Sequence, residues 1–406
     1  MSRACRCIRT PSSTTSTDAG NLPSGLPLLR TPRRCAGISE ECHQKQTRRD
    51  CDMAKLAEPI IRTDHFPSSR PASRKFSPMT WQRFTGSDVE WDQIVTQLHN
   101  SSPYQSSAWA TFRSLEGWTP IRLITVHRDA AVQALTRRAF GIGVAWVPGG
   151  PLGETSSEEL GNLCKVLRQQ LSSTFTYVRV ADFRAATPTR SDHYVRTHWR
   201  RPRRPLSSGH TLTRTLLNDG EYLRSSYTKN WARNLRRGEE RGVSSSVWSS
   251  PDSMEIAHLH QSVAETKGIP VQDWRTDPSR LAHLFDTFRH QIVVVRATDS
   301  NGVTQAIRGA VVCGTTGFDF LAATSSDGRK SYASNVALHH LLEVLAQRNV
   351  TTYDFGGVDS VTNKGVYDFK HGAGGHEHSY VGEFENTYPR AVRSVLSTLI
   401  ALRLAN

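Results

Sequence analysis

One stretch near the C-terminus constrains the fold more than any other: residues 353–384, YDFGGVDSVTNKGVYDFKHGAGGHEHSYVGEF. An alternating apolar run, Thr352 to Phe355, halts at Gly356-Gly357, and a short polar loop carrying Lys364 follows. Val366-Tyr367-Asp368-Phe369-Lys370 then leads into Gly372, Gly374 and Gly375, and a second strand-like run covers 379–384. Glycine clusters of this kind let backbone approach a ligand closely or take positive φ. A lysine held between aromatic neighbours and such a bend suits the task of a fixed positive charge for an anion or a developing oxyanion.

Upstream, hydrophobic periodicity divides the chain into two α/β stretches. In the first, residues 91–98 have helical spacing and 121–126 read as a strand. The run 140–146 enters the turn-dense Val147-Pro148-Gly149-Gly150-Pro151. Leu160, Leu163, Leu167 and Leu171 recur at helical intervals, and 177–180 read as a further strand. The basic segment Arg196 to Pro205, RTHWRRPRRP, reads as an exposed, extended strap, because its prolines oppose any regular element.

In the second stretch, Tyr227, Trp231 and Leu235 recur every four residues, which predicts a helix over 227–241. Lys229, Arg233, Arg236 and Arg237 fall on another face of it. Further helices are expected over 254–267 and 335–348, and strands over 292–298, 306–313 and 319–323. Residues 386–406 are expected to form a last helix that packs back on the first stretch. The expected division is 1–78, 79–200, 201–385 and 386–406.

Residues 1–78 are rich in Ser, Thr, Pro and Arg without apolar period, so they are expected to be disordered or foreign to the native product. That tail holds 14 Lys/Arg against 7 Asp/Glu, or +7, which is half of the net charge of +14. The other half belongs to the remainder of the chain and favours polyanionic partners. Mean hydropathy is −0.48, and no apolar run approaches the ~20 residues of a membrane-spanning helix. A soluble, cytoplasmic protein is therefore expected. Five of the seven cysteines lie in the first 51 residues and none forms a CxxC pair, which fits a reduced compartment.

The C-terminal block resembles the signature of the Fem-type aminoacyltransferases, carried here by Tyr353, Asp354, Gly356, Gly357, Tyr367, Phe369, Lys370, Gly372, Gly374 and Gly375. One departure is Ala373, where the family's bend usually has an aromatic. Pro103-Tyr104-Gln105-Ser106, Trp109, Gly117-Trp118 and the VPGGP turn follow the family's N-terminal half in order. WARNLRRGEERGV resembles its arginine motif, with Arg233 at the most distinctive position. The segment ending Glu265-Thr266-Lys267-Gly268 matches the one that follows. The resemblance implies an α/β fold with mixed sheets, as two tandem GNAT-like domains. It also implies transfer of an amino acid from aminoacyl-tRNA, the co-substrate, to the amine of a peptidoglycan precursor, a nucleotide- or lipid-linked muramyl-pentapeptide. Peripheral contact with the inner face of the membrane is a further implication.

Transfer from an activated ester needs orientation, a deprotonated amine and oxyanion stabilisation, but no covalent enzyme intermediate. Consistent with this, the chain has no GxSxG elbow, HExxH or P-loop. Lys370 is expected to hold the oxyanion or a substrate phosphate, and Asp354 to orient the amine or take its proton. Arg233, Lys267, Tyr332, Lys364, Tyr367 and Phe369 are expected at the substrate, and Lys229, Arg236 and Arg237 at the tRNA. No bound cofactor or metal is expected, although the spacing of His371, His376 and His378 is compatible with a metal site. Two alternatives stay open. One is an acyl-CoA-dependent GNAT enzyme acting on a small-molecule or saccharide amine; the other is a non-catalytic polyanion binder on a degenerate acyltransferase fold. Residues 325–332 lack the glycine-bearing pyrophosphate loop of the former.

Overall fold

The computed structural model describes residues 81–139, 141–267 and 274–403, all within one compact unit. The expectation for residues 1–78 lies outside the described residues. The first half contains β1 (Trp81–Arg83), α1 (Asp88–Gln97), α2 (Ser107–Ser114), β2 (Thr119–Thr125), β3 (Ala130–Ala139) and β4 (Ile142–Pro148). It continues through β5 (Leu152–Gly153), α3 (Ser157–Leu171), β6 (Phe175–Ala185) and α4 (Pro188–Arg196). The second half opens with β7 (His210–Thr215), α5 (Gly220–Ser225), α6 (Lys229–Glu240), β8 (Ser244–Val247), α7 (Ser253–Lys267) and α8 (Pro278–Thr287). Then come β9 (Ile292–Thr298), β10 (Thr304–Cys313), β11 (Thr316–Thr324), α9 (Ser326–Lys330) and α10 (Ala333–Gln347). The last elements are β12 (Thr352–Gly357), α11 (Lys364–Gly372), β13 (His376–Tyr388) and α12 (Arg393–Arg403).

The strands form one continuous mixed sheet in the order β1-β2-β3-β4-β6-β13-β7-β12-β11-β10-β9-β8, with β5 beside β3. Each half contributes one parallel pair, β4 with β6 and β11 with β12, and its other pairings are antiparallel. β13 belongs to both halves. Its start, His376 to Ser379, pairs with β7, and Tyr380 to Tyr388 pairs with β6.

The periodic leucines build the cores. Leu160, Leu163, Leu167 and Leu171 of α3 are buried in the first half, and Leu338, Leu341, Leu342 and Leu345 of α10 in the second. Each such side chain contributes roughly 1.5–3 kcal/mol. Ser156 and Glu159 close a capping box that starts α3 where its apolar period begins. A third cluster couples the halves: Trp109 and Phe112 of α2 pack with Leu281 and Leu284 of α8 and with Phe320 of β11.

Gln105 shows why the Gln-Ser pair matters. Wholly buried, it donates to the carbonyls of Gln133 and Pro148 and accepts from the Gln133 amide, while Ser106 caps α2. The pair thereby locks the turn before α2 onto β3 and the end of β4.

Several sequence expectations need correction. The segment from Lys364 to Gly372 is a helix, not a loop running into a glycine bend. The strand read as 379–384 extends from 376 to 388, so the last helix begins only at Arg393. The strap is not a freely exposed ribbon. Trp199 is fully buried, Arg200 bridges to Glu385, and Arg201 donates to the carbonyls of Val381 and Glu383. Main-chain partners offered by β13 explain the difference, because proline blocks a helix but not pairing of its neighbours. In α12, Ser397 donates to the Glu385 carboxylate, which also accepts from Tyr177 of β6. Among the described residues, no helix is long and apolar enough to cross a membrane.

Candidate active site

β11 and β12 are hydrogen-bonded over only three residue pairs, Thr316 to Phe318 against Thr352 to Asp354, and then part. At the parting lies a cleft of about 530 Å³. Tyr104, Trp146 and Phe183 come to it from the first half, and Asp319 and Asp354 from the second. Tyr380 of β13 stands where the two meet.

Asp354 is buried at the end of the paired stretch. Its Oδ1 accepts from Thr211 Oγ1 at 2.5 Å and from the Gly356 amide at 2.7 Å, and its Oδ2 accepts from Tyr380 Oη at 2.6 Å. Gly356, with φ of 71°, allows the chain to fold back onto the carboxylate. Asp319 also faces the cleft, with its side chain 8% exposed. It accepts from Tyr353 Oη at 3.0 Å and lies 3.6 Å from Arg308 Nη1. Burial pushes its carboxyl above the ordinary range, against the opposing pull of Arg308 and Lys370.

Lys370 sits behind this pair, on α11. Its ammonium donates to the carbonyls of Phe355 at 2.5 Å and Gly357 at 3.1 Å, with that of Gly356 at 3.5 Å. These carbonyls lie on the stretch of β12 that β11 no longer pairs. Burial draws the lysine below its usual pKa, while Asp319 and Asp354 hold its charge in place. Gly375 is obligatory here, because a Cβ would stand 2.9 Å from the Lys370 carbonyl and 3.0 Å from Leu212.

The cleft wall is aromatic. Phe183 stacks on Tyr380 at 4.9 Å, and Tyr104 meets Phe183 edge-on at 5.8 Å. Burial pushes the Tyr104 phenol up to about 12. The roof is the end of the strap. The amides of Leu206 and Ser207 and the Ser207 hydroxyl all donate to Glu383 Oε1, while Arg179 Nε holds Glu383 Oε2 at 2.6 Å.

Of the residues expected at the site, Asp354 lines the cleft and Lys370 lies directly behind it, with its ammonium taken up by main-chain acceptors. The others are elsewhere. Arg233 is exposed on α6 and donates to Asn230. Lys229, Arg236 and Arg237 are exposed on the same helix. Arg236 pairs with Glu240 at 3.4 Å, and Arg237 approaches Tyr332 Oη at 3.5 Å. Tyr332, with φ of 60°, begins α10. Lys364 is exposed and bridges to Asp368 at 2.6 Å. Tyr367 donates to Glu377, and Phe369 packs between Trp231 and the Arg308 guanidinium. The Lys267 side chain lies outside the described residues. His371 is on α11, whereas His376 and His378 are on β13, and among the described residues no three potential ligands are grouped to hold a metal.

Asp319, Tyr380 and Tyr104 were not among the expected site residues. Asp319 carried one signal, a lone acid between Phe318 and Phe320 in an otherwise apolar strand.

Residues 225–371 match the family model of the acetyltransferase (GNAT) domain. The solved structure of FemX matches over 78% of this chain and 100% of its own, at 13% identity and a TM-score of 0.68. The fold is that of FemX. Weaker matches include a tandem GNAT protein from the clavulanic acid biosynthesis pathway, at 10% identity over 76% of this chain and 98% of its own, with a TM-score of 0.47. L-PGS from Bacillus licheniformis matches at 12% identity over 74% and 96%, with a TM-score of 0.43. No curated protein matches the sequence. The chain is thus a mixed α/β protein with the fold of FemX, and residues 225–371 match an acetyltransferase (GNAT) domain. Its cleft lies on the seam between the two halves, where the domain's parallel strands part.

Proposed function

We propose that this FemX-type chain transfers an aminoacyl group from aminoacyl-tRNA to an amine of a peptidoglycan precursor. The observation that carries the reading is the composition of the cleft. The carboxylates of Asp319, Asp354, Asp359 and Glu383 meet an aromatic wall, and no lysine or arginine is among its described lining residues. Such a wall receives an ammonium group through charge and cation–π attraction, and the carboxylates then orient it. The exposed cations of α6 offer a separate surface for a nucleic-acid backbone.

The acyl-CoA alternative asks for free backbone donors before α10, to hold a pyrophosphate. In this chain the amides of Gly328, Arg329 and Ser331 are bonded within the α9 turn. A Cβ on Gly328 would stand 2.2 Å from the Gln305 carbonyl, so the turn is pressed onto β10. That packing favours aminoacyl-tRNA as donor.

The test offers the full chain a muramyl-pentapeptide with either bulk tRNA charged with labelled amino acids or labelled acetyl-CoA. Label is expected on the precursor from charged tRNA only, and lost after RNase treatment. Label from acetyl-CoA alone would replace the reading with the second one. A companion prediction concerns α6. The Arg236→Glu/Arg237→Glu variant is expected to bind tRNA about tenfold more weakly or worse near physiological salt, with a shallower dependence on salt. An unchanged Kd and slope would move the tRNA surface off this helix.

A further inference from the structure

Four carboxylates line the cleft: Asp359 is taken up by its own loop amides and Glu383 by Arg179 and the end of the strap, while the surroundings of Asp354 and Asp319 suit different tasks. Asp354 receives three donors on its two oxygens, from Thr211, Gly356 and Tyr380, which fix its orientation and occupy its lone pairs. Asp319 receives one such bond, from Tyr353. Arg308 Nη1, at 3.6 Å from Oδ2, is beyond hydrogen-bond distance, and the guanidinium donates instead to Ser334 Oγ and lies over the Phe369 ring. Asp319 therefore keeps acceptor capacity at the mouth of the splayed strands.

We propose that Asp319 is the catalytic proton acceptor for the incoming ammonium, and that Asp354 is the fixed anion that orients it. The inference rests on the reading of the chain as an acyltransferase acting on amines. The charged and titratable groups that act most on Asp319 fit the task, with Asp359, Glu383 and His210 elsewhere on the cleft lining. Arg308 of β10, Lys370 of α11 and Arg275 before α8 are positive and favour its anion, Tyr353 of β12 donates to it, and Tyr104 and Asp354 stand across the cleft. Burial works against those cations and raises its proton affinity above that of an ordinary aspartate.

The proton count closes. One proton of R–NH3+ passes to Asp319 and later to water. The free amine attacks the ester carbonyl and forms the C–N bond. As the C–O bond to the donor breaks, a second N–H proton goes to the leaving oxygen. The amide keeps the third.

The test compares wild type, Asp319→Asn and Tyr353→Phe with two acceptors, the muramyl-pentapeptide and methoxyamine, whose nitrogen is already neutral at pH 7. With the peptide, Asp319→Asn is expected to lower kcat/KM by roughly 10²–10⁴-fold at neutral pH and to abolish the acid limb that the wild type shows. Tyr353→Phe is expected to move that limb to higher pH, because a bond stabilising the anion is lost. With methoxyamine, Asp319→Asn is expected to approach the wild-type rate. Equal loss with both acceptors would assign Asp319 a structural role and overturn the proposal, as would an unchanged rate and pH profile with the peptide. If the wild type itself transferred nothing from either donor, the functional reading would fall and the proposal with it. An active wild type beside an indifferent Asp319→Asn would overturn only the proposal.

Discussion

Exchanging Lys370 for methionine is expected to lower kcat/KM by about 10²–10³-fold, as removal of a fixed charge from a dry site typically does. The loss has two sources that measurement can separate. Methionine fills the lysine stem's volume but offers no donor, so the carbonyls of Phe355 and Gly357 lose the ammonium that reaches them on the stretch of β12 that β11 no longer pairs. A buried acceptor left unsatisfied costs about 1–3 kcal/mol, and the Gly356 turn that pins Asp354 slackens with it. The second source is electrostatic. Lys370 lowers the proton affinity of Asp319, so its removal raises that affinity further. The acid limb of the pH profile is therefore expected to shift upward, which a purely mechanical loosening would not produce. Activity within threefold of wild type and an unmoved limb would show that the ammonium serves packing alone.

The largest expected effect on stability lies away from the cleft, at Asp182 of β6. Its carboxylate is fully buried and takes the Arg184 guanidinium, the Arg184 amide and the Tyr194 hydroxyl. Arg184, also buried, goes on to bond the Gly153 carbonyl and the Thr155 hydroxyl, which fastens the strand to the segment after β5. Asp182→Ala leaves a buried guanidinium with the exposed Glu154, 3.8 Å away, as its remaining described counter-ion, a change that costs about 3–5 kcal/mol. For a cooperative unit of this size that corresponds to a Tm lower by roughly 4–7 °C. Replacing both partners, Asp182→Ala with Arg184→Met, is expected to recover part of the loss, because the stranded charge is gone. A double variant no more stable than Asp182→Ala would show that the other bonds of Arg184 dominate.

Legibility from sequence followed the range of the forces involved. α3, α6 and α10 were readable because burial repeats on their own helical period, as the buried Leu160, Leu163, Leu167 and Leu171 illustrate. α11 was not, since nine residues between glycines carry little period, and its burial is set by Trp231 and β12 from elsewhere in the chain. Asp354 was found at the cleft because its motif is local. Asp319 escaped because its role arises from the parting of two strands more than thirty residues apart, which no local pattern records. The strap misled for a related reason. Its prolines and arginines read as an exposed, extended segment, whereas β13 supplies main-chain acceptors that bring Arg201 back onto the protein.

The placement of β13 bears on how the chain is made. β6 and β7 lie apart in the sheet, and the strand that joins them leaves the ribosome after every other described strand. Until residue 388 has emerged, both strands present open edges, the kind of surface that recruits stray β-structure. The cleft is equally unfinished at that stage, because Tyr380 and the Glu383 that secures its roof arrive on the same strand. A chain released early is therefore an aggregation hazard lacking an active cleft, and never a smaller working enzyme.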